Sequence, residues 1–238
     1  MLKLASYNIR KCDCLDWRRD PARIAAVLAE IGADIVALQE ADRRLGERRG
    51  AIPHAALAVT GLRFATPFGV GPSHGWHGNA LLVSARIGVE RIERLELPCL
   101  EPRGALIAEM ALEGRRFRLI CAHLGLRQIS RAQQARAILE ALEARADGAH
   151  ELVLGDLNEW RDRRGCIEIL SRRLRPAPTR ESFHAARPVA RLDRVFASAD
   201  LRCRRCGVHR SALSRIASDH LPGWAEIAPR RAAGSRGR

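Results

Sequence analysis

The chain has 238 residues, 47% of them hydrophobic, enough for the core of one layered α/β domain. No apolar run approaches the roughly 20 residues that span a bilayer, and seven cysteines, an odd number without framework spacing, argue against a disulfide scaffold and for reduced thiols in a cytoplasmic protein. The net charge of +14, from 41 basic against 27 acidic side chains with only Lys3 and Lys11 as lysines, points to a polyanionic partner, either nucleic acid or an anionic phospholipid surface.

Residues 2–9 read as a buried strand that begins the chain without the basic and apolar regions of a signal peptide. The polar stretch 10–20 reads as an irregular loop. Asp20-Pro21 is a strong helix start, with Asp as N-cap and Pro at the first helical position; Ile24, Val27, Leu28 and Ile31 follow at helical spacing and Gly32 stops the helix. Residues 34–38 predict the next buried strand, ending at Gln39-Glu40. A short helix is predicted over 55–60, a strand over 64–68 and a loop over 70–78, whose His74, Trp76 and His77 are candidates to line a substrate mouth. Strands over 79–84, 89–97, 105–112 and 116–123 form an antiparallel run. Ser130 opens a helix through Ala146. A compact strand at 151–154 precedes a helix over 166–174, a Pro- and Arg-rich loop over 175–188, and strands at 192–197, 201–209 and 221–227. One domain over 1–228 and a basic, disordered tail over 229–238 complete the reading. Helices fall between strands in both halves, which fits two sheets packed face to face with helices outside.

Polar islands interrupt the apolar strands: Tyr7-Asn8-Ile9-Arg10, Leu38-Gln39-Glu40, Ala122-His123-Leu124-Gly125, Leu154-Gly155-Asp156-Leu157-Asn158, Arg191-Leu192-Asp193-Arg194 and Ser218-Asp219-His220-Leu221-Pro222. A strand–helix–strand unit whose strands both end in polar residues points to a site at the sheet edge. Cys12-x-Cys14 and Cys203-x-x-Cys206 have the spacing of metal half-sites, but two half-sites so far apart in the chain are weak evidence for a structural zinc.

These islands, with Gly78-Asn79-Ala80-Leu81-Leu82, resemble in order and spacing the endonuclease/exonuclease/phosphatase superfamily, whose fold is that of DNase I. Glu101-Pro102-Arg103-Gly104-Ala105 adds a likeness to a subgroup of small bacterial proteins often encoded near cardiolipin synthase-type enzymes. The resemblance implies an α+β, four-layer α/β/β/α sandwich of two mainly antiparallel sheets. It also implies Mg²⁺- or Mn²⁺-dependent hydrolysis of phosphate esters, with nucleic acid as the leading substrate class and phospholipid or a phosphorylated head group as the alternative. Glu40 becomes the principal metal ligand, assisted by Asn8 and Asp219, because hard cations prefer carboxylate oxygen. Asp156 orients or deprotonates the attacking water and Asn158 holds it or a phosphate oxygen. His123 and His220 bind phosphoryl oxygens, with Asp193 fixing the His220 ring; the His220–Asp193 pair as base stays open beside Asp156. Arg10, Arg103 and Asn79 are candidate phosphate contacts. Arg131 and Gln134 read as supports for the loop after His123. The pattern departs from the abasic-site endonucleases: Arg10 stands where they carry an acid, and Tyr7, the sole tyrosine, cannot fill the role of their mid-chain tyrosine.

Overall fold

The computed structural model describes residues 1–43, 46–65, 72–98, 101 and 103–230. The expected strand beyond residue 65, the start of the 70–78 loop, Pro102 and tail positions 231–238 lie outside them. Strand β1 (Leu2–Asn8) leads to helix α1 (Pro21–Ile31) and back to β2 (Ile35–Gln39). The α1 ends are those the sequence predicts: the Asp20 carboxylate accepts from the Arg23 N–H at 2.9 Å, and Gly32 is left-handed at φ 57°. β1 and β2 pair in parallel. The unit recurs in the second half, where β7 (Arg115–His123), α2 (Gln128–Glu143) and β8 (His150–Asp156) form another parallel pair joined by a helix.

Antiparallel strands extend each pair. The first sheet runs β11 (Leu201–Val208), β12 (Gly223–Pro229), β1, β2, β4 (Ala80–Ser84), β3 (Leu62–Phe64). The second runs β5 (Gly88–Glu96), β6 (Gly104–Leu112), β7, β8, β10 (Asp193–Ser198), β9 (Leu174–Pro176). The sheets pack face to face, with α1 outside the first and α2 and the short α3 (Cys166–Leu170) outside the second. This is the expected four-layer sandwich.

Several boundaries differ from the sequence reading. Helix α2 begins at Gln128, not Ser130, and ends at Glu143, not Ala146; Ser130 makes no cap, and the first turn closes through the Arg131 N–H on Arg127 O. Leu174 leaves the predicted helix and opens β9 opposite Ser198, since an apolar residue at helical spacing also suits a buried strand. β4 joins the other sheet from β5, so the antiparallel run spans β5 to β7 only. The loop after β1 contains a 3-10 turn at Arg10–Cys12, and a four-residue helix, α4 (Ser214–Ala217), precedes the terminal motif.

Side chains alternate across a strand, and this places the site. On the faces between the sheets, β1 presents Leu2 and Leu4, β2 Ile35 and Ala37, β7 Phe117, Leu119 and Cys121, β8 Leu152 and Leu154, and β10 Ala197 and Val195. Continued to one end of the sandwich, the same stripes read Asn8, Gln39, His123, Asp156 and Asp193. The shared core is apolar along its length and polar at that end. The opposite faces of these strands cover the helices: Tyr7, Ile9, Val36 and Leu38 pack on α1, and Ile120, Ala122 and Val153 under α2 and α3.

Candidate active site

The parallel pairing puts the ends of β1 and β2, and of β7 and β8, at one edge. Asn8 stands beside Gln39 and His123 beside Asp156, while antiparallel β10 brings its first residue, Asp193, opposite Asp156. Asp156, 1% exposed, is the hub. Its Oδ2 accepts from Asn8 Nδ2 at 3.0 Å, and His123 Nε2 and His220 Nε2 lie 3.5 and 3.6 Å from the same oxygen. Its Oδ1 accepts from the Asn158 backbone N–H at 3.0 Å. Asn158 is left-handed, φ 51°, and its amide donates to Leu124 O at 2.8 Å, tying the loop after β8 to the loop after β7.

His220 donates from Nδ1 to Asp193 Oδ2 at 2.8 Å, and the same oxygen accepts from Ser182 Oγ at 2.6 Å. Burial opposes a charged ring here, but the Asp193 and Asp156 carboxylates prevail and hold the His220 pKa up at about 10. His220 is therefore an imidazolium at neutral pH, with Nε2–H toward Asp156. The motif that carries it is pinned by Ser218, whose Oγ donates to Asn8 O at 2.7 Å.

Glu40 follows β2 in a left-handed conformation, φ 51°, and Lys11 Nζ donates to its Oε2. With His123 and Arg103 they line a cleft of about 280 Å³ that also takes in Asp42 and Arg48. Arg103 Nη1 lies 3.0 and 3.2 Å from the two ring nitrogens of His123, and Arg103 Nε is 3.5 Å from Glu101. Arg10 Nε is 3.9 Å from Asp219 Oδ2, so the proposed clamp leans on the proposed ligand. Asn79 departs from its expected role. It is buried, and both amide hydrogens are engaged, by Gly104 O at 2.8 Å and Trp76 O at 3.2 Å. It braces the two sheets instead of reaching a phosphate. Of the loop residues 74, 76 and 77, only His77 lines the cleft; His74 bonds Ile52 O and Trp76 packs on the core between the sheets.

A model of the Endonuclease/Exonuclease/phosphatase family matches residues 5–220. The chain belongs to this family.

Among curated proteins, the uncharacterized protein YbhP of Escherichia coli strain K12 is 34% identical over 135 residues, 51% of this chain and 51% of YbhP. The matched stretch thus spans about half the length of that relative. Among solved structures, the Bacteroides thetaiotaomicron mannosyl-6-phosphatase Bt3783 superposes with a TM-score of 0.72 at 18% identity, covering 96% of this chain and 100% of the other. D. rerio TDP2, complexed with single strand DNA product, superposes with a TM-score of 0.69 at 18% identity, covering 95% and 98%. At that identity these two likenesses show the fold.

Family enzymes are hydrolases of phosphate esters and generally use divalent metals. The donors at the β2 end fit such an ion. Glu40 presents a hard carboxylate to the cleft, and the Lys11 ammonium already seated on it shows that the position accepts a cation. Among the described residues no group of three His, Cys, Asp or Glu side chains is arranged to enclose a metal.

Sequence reasoning missed Lys11, Asp42, Arg48, Ser182 and Glu159. Ser182 sits in a stretch whose Pro and Arg content reads as plain loop, yet it holds Asp193. Glu159, 2% exposed, pairs with Arg131 at 3.3 Å and locks the loop after β8 to helix α2. Arg131 also donates to Gly125 O, and Gln134 accepts from the Gly125 N–H. The one available signal was a carboxylate directly after Asn158.

Proposed function

We propose that this family member is a divalent-metal-dependent phosphodiesterase in which Asp156 orients and deprotonates the attacking water. The observation that carries the reading is the gathering of an amide and two imidazoles around one oxygen of Asp156, beside a cleft that holds Glu40. An imidazolium has no lone pair with which to take a proton. The charge on His220 therefore supports Asp156 as base and His220 as donor to a phosphoryl oxygen, over the reverse assignment. Asp193 and Ser182 fix the ring that makes this donation. His123 supplies a second donor, with Arg103 beside it to meet a further phosphate oxygen. Asn8 orients Asp156, and Asn158 holds the water or an oxygen of the substrate. A Mg²⁺ or Mn²⁺ ion held by Glu40, with Asn8 and Asp219 within the same strand-end cluster, would supply positive charge to the scissile phosphate.

The site reads the diester, which DNA, RNA and phospholipids share, and the net charge of +14 supports a polyanion. The nucleic-acid reading draws further support from the TDP2 likeness, whose structure holds single strand DNA product. The deciding experiment is a substrate panel with Mg²⁺ and Mn²⁺, comparing wild type with Asp156→Asn on single- and double-stranded DNA, RNA, anionic phospholipids, inositol phosphates and bis-p-nitrophenyl phosphate. Metal-dependent hydrolysis that Asp156→Asn abolishes supports the proposal. An inert wild type on every diester sinks it and leaves a binding module on this fold.

A further inference from the structure

Eight large hydrophobic side chains stand exposed among the described residues. Six of them, Trp17, Leu126, Ile129, Trp160, Val189 and Ile216, lie on segments at the strand ends that carry the candidate catalytic residues. Trp17 is in the loop after Asn8, and Leu126 and Ile129 follow His123. Trp160 is two residues past Asn158. The Val189 N–H donates to Phe183 O, and Phe183 bridges to His220. Ile216 precedes the terminal motif and its carbonyl accepts from the Leu15 N–H in the Trp17 loop. The other two, Met1 and Val59, belong to the far end, where β1 starts and Leu62 pairs with Ser84.

The same loops hold exposed arginines. Arg18, Arg127, Arg161 and Arg215 directly adjoin Trp17, Leu126, Trp160 and Ile216, and Arg187 stands two residues from Val189. Among the described residues Arg127, Arg161, Arg187 and Arg215 make no ion pair, and Arg18 lies near Asp16 and helps to hold that carboxyl down. Apolar side chains exposed beside arginines, and gathered at one end, suit a partner that is both apolar and anionic.

We infer that this end of the molecule docks on an anionic bilayer. The six side chains enter the boundary between head groups and acyl chains, and the arginines meet the lipid phosphates. Tryptophan suits that depth, with an apolar body and one N–H for the wet side. A strand of nucleic acid is the weaker match, because base stacking needs planar rings and four of the six prongs are aliphatic. Docking stands on exposure and charge alone. It draws on the proposed reaction only to say that the catalytic cleft then faces the lipid, so that a phosphodiester in the surface layer is the substrate within reach.

Co-sedimentation of the full chain with vesicles tests this. Wild type binds vesicles of phosphatidylglycerol with phosphatidylcholine and leaves phosphatidylcholine alone. The variant Trp17→Ser/Leu126→Ser/Ile129→Ser binds the anionic vesicles about tenfold more weakly or worse, with an unchanged far-UV spectrum and unchanged metal-dependent hydrolysis of bis-p-nitrophenyl phosphate. Arg127→Gln/Arg161→Gln weakens vesicle binding at low salt more than at high salt. Anionic-vesicle binding that the triple variant leaves intact overturns the inference. So does a triple variant that loses affinity for a single-stranded oligonucleotide while keeping its affinity for vesicles, which would make the rim a nucleic-acid surface. Glu40→Gln separates the two claims: it removes hydrolysis and keeps vesicle binding, so a failed reaction and a failed docking surface give different results.

Discussion

His220 is held in its charged form by two carboxylates and has almost no contact with water. Its folded pKa of about 10 lies above the ordinary histidine value of 6.5. The stabilisation from this pair is therefore complete below about pH 6.5 and is lost as the pH rises through about 10. Denaturant unfolding at a series of pH values should show that alkaline loss. Asp193→Asn removes one partner of a buried charged pair and should cost about 3–5 kcal/mol at neutral pH. It should also move the alkaline limb of the pH–rate profile to lower pH, because His220 then gives up its proton sooner. Asp156→Asn keeps the shape of the hub and removes the proton acceptor, so kcat should fall by about 10²–10⁴-fold with little change in KM. At the other wall of the cleft, Glu40→Gln should weaken Mn²⁺ binding by at least about tenfold in titration calorimetry, since the carboxylate is the donor such an ion prefers.

The elements fix how closely these residues approach. At Gly155, one residue before the hub, an added Cβ would lie 1.8 Å from the Ala122 carbonyl oxygen. Gly155→Ala therefore forces β7 and β8 apart where His123 and Asp156 must stand side by side. The expected loss is about 3 kcal/mol of stability or more, with activity falling further than stability explains. Helix α1 offers a contrast far from the chemistry. Asp20→Ala removes its N-cap bond and should cost about 1 kcal/mol in chemical denaturation, leaving kcat unchanged. Helices and strands with such punctuation were legible in the sequence: Asp20-Pro21 and Gly32 marked the ends of α1 to the residue. The ends of α2 and α3 were not, because neither helix has a side-chain cap at its start, and their limits come from the loops and strands they pack against.

For the molecule as a whole, electrostatics and metal binding should be visible without any knowledge of the natural substrate. A bound ion stabilises only the folded state, so Mn²⁺ at a hundred times its Kd should add about 2.7 kcal/mol to unfolding, and Glu40→Gln should remove most of that gain. Chelation should abolish hydrolysis, and Mg²⁺ or Mn²⁺ should restore it. With a net charge of +14, association with any polyanion should weaken steeply as salt is raised. No helix among the described residues is long and apolar enough to cross a membrane.

The sequence alone carried the layered architecture and the polar strand ends that make up the candidate site, because period-two burial and short polar ends are local properties that each strand writes in its own residues; the roles given to those residues came with the family resemblance. It marked Asn8, Glu40, His123, Asp156, Asp193 and His220 for the same reason. Which atoms meet was decided only by the tertiary structure. That two histidines and Asn8 share one oxygen of Asp156, that Ser182 secures Asp193, that Lys11 sits on Glu40 and that Asn79 braces the sheets instead of facing substrate all depend on register between strands far apart in the chain. So does the gathering of exposed hydrophobics and arginines at one end, since each is an ordinary surface residue until the parallel pairs bring their loops to the same edge.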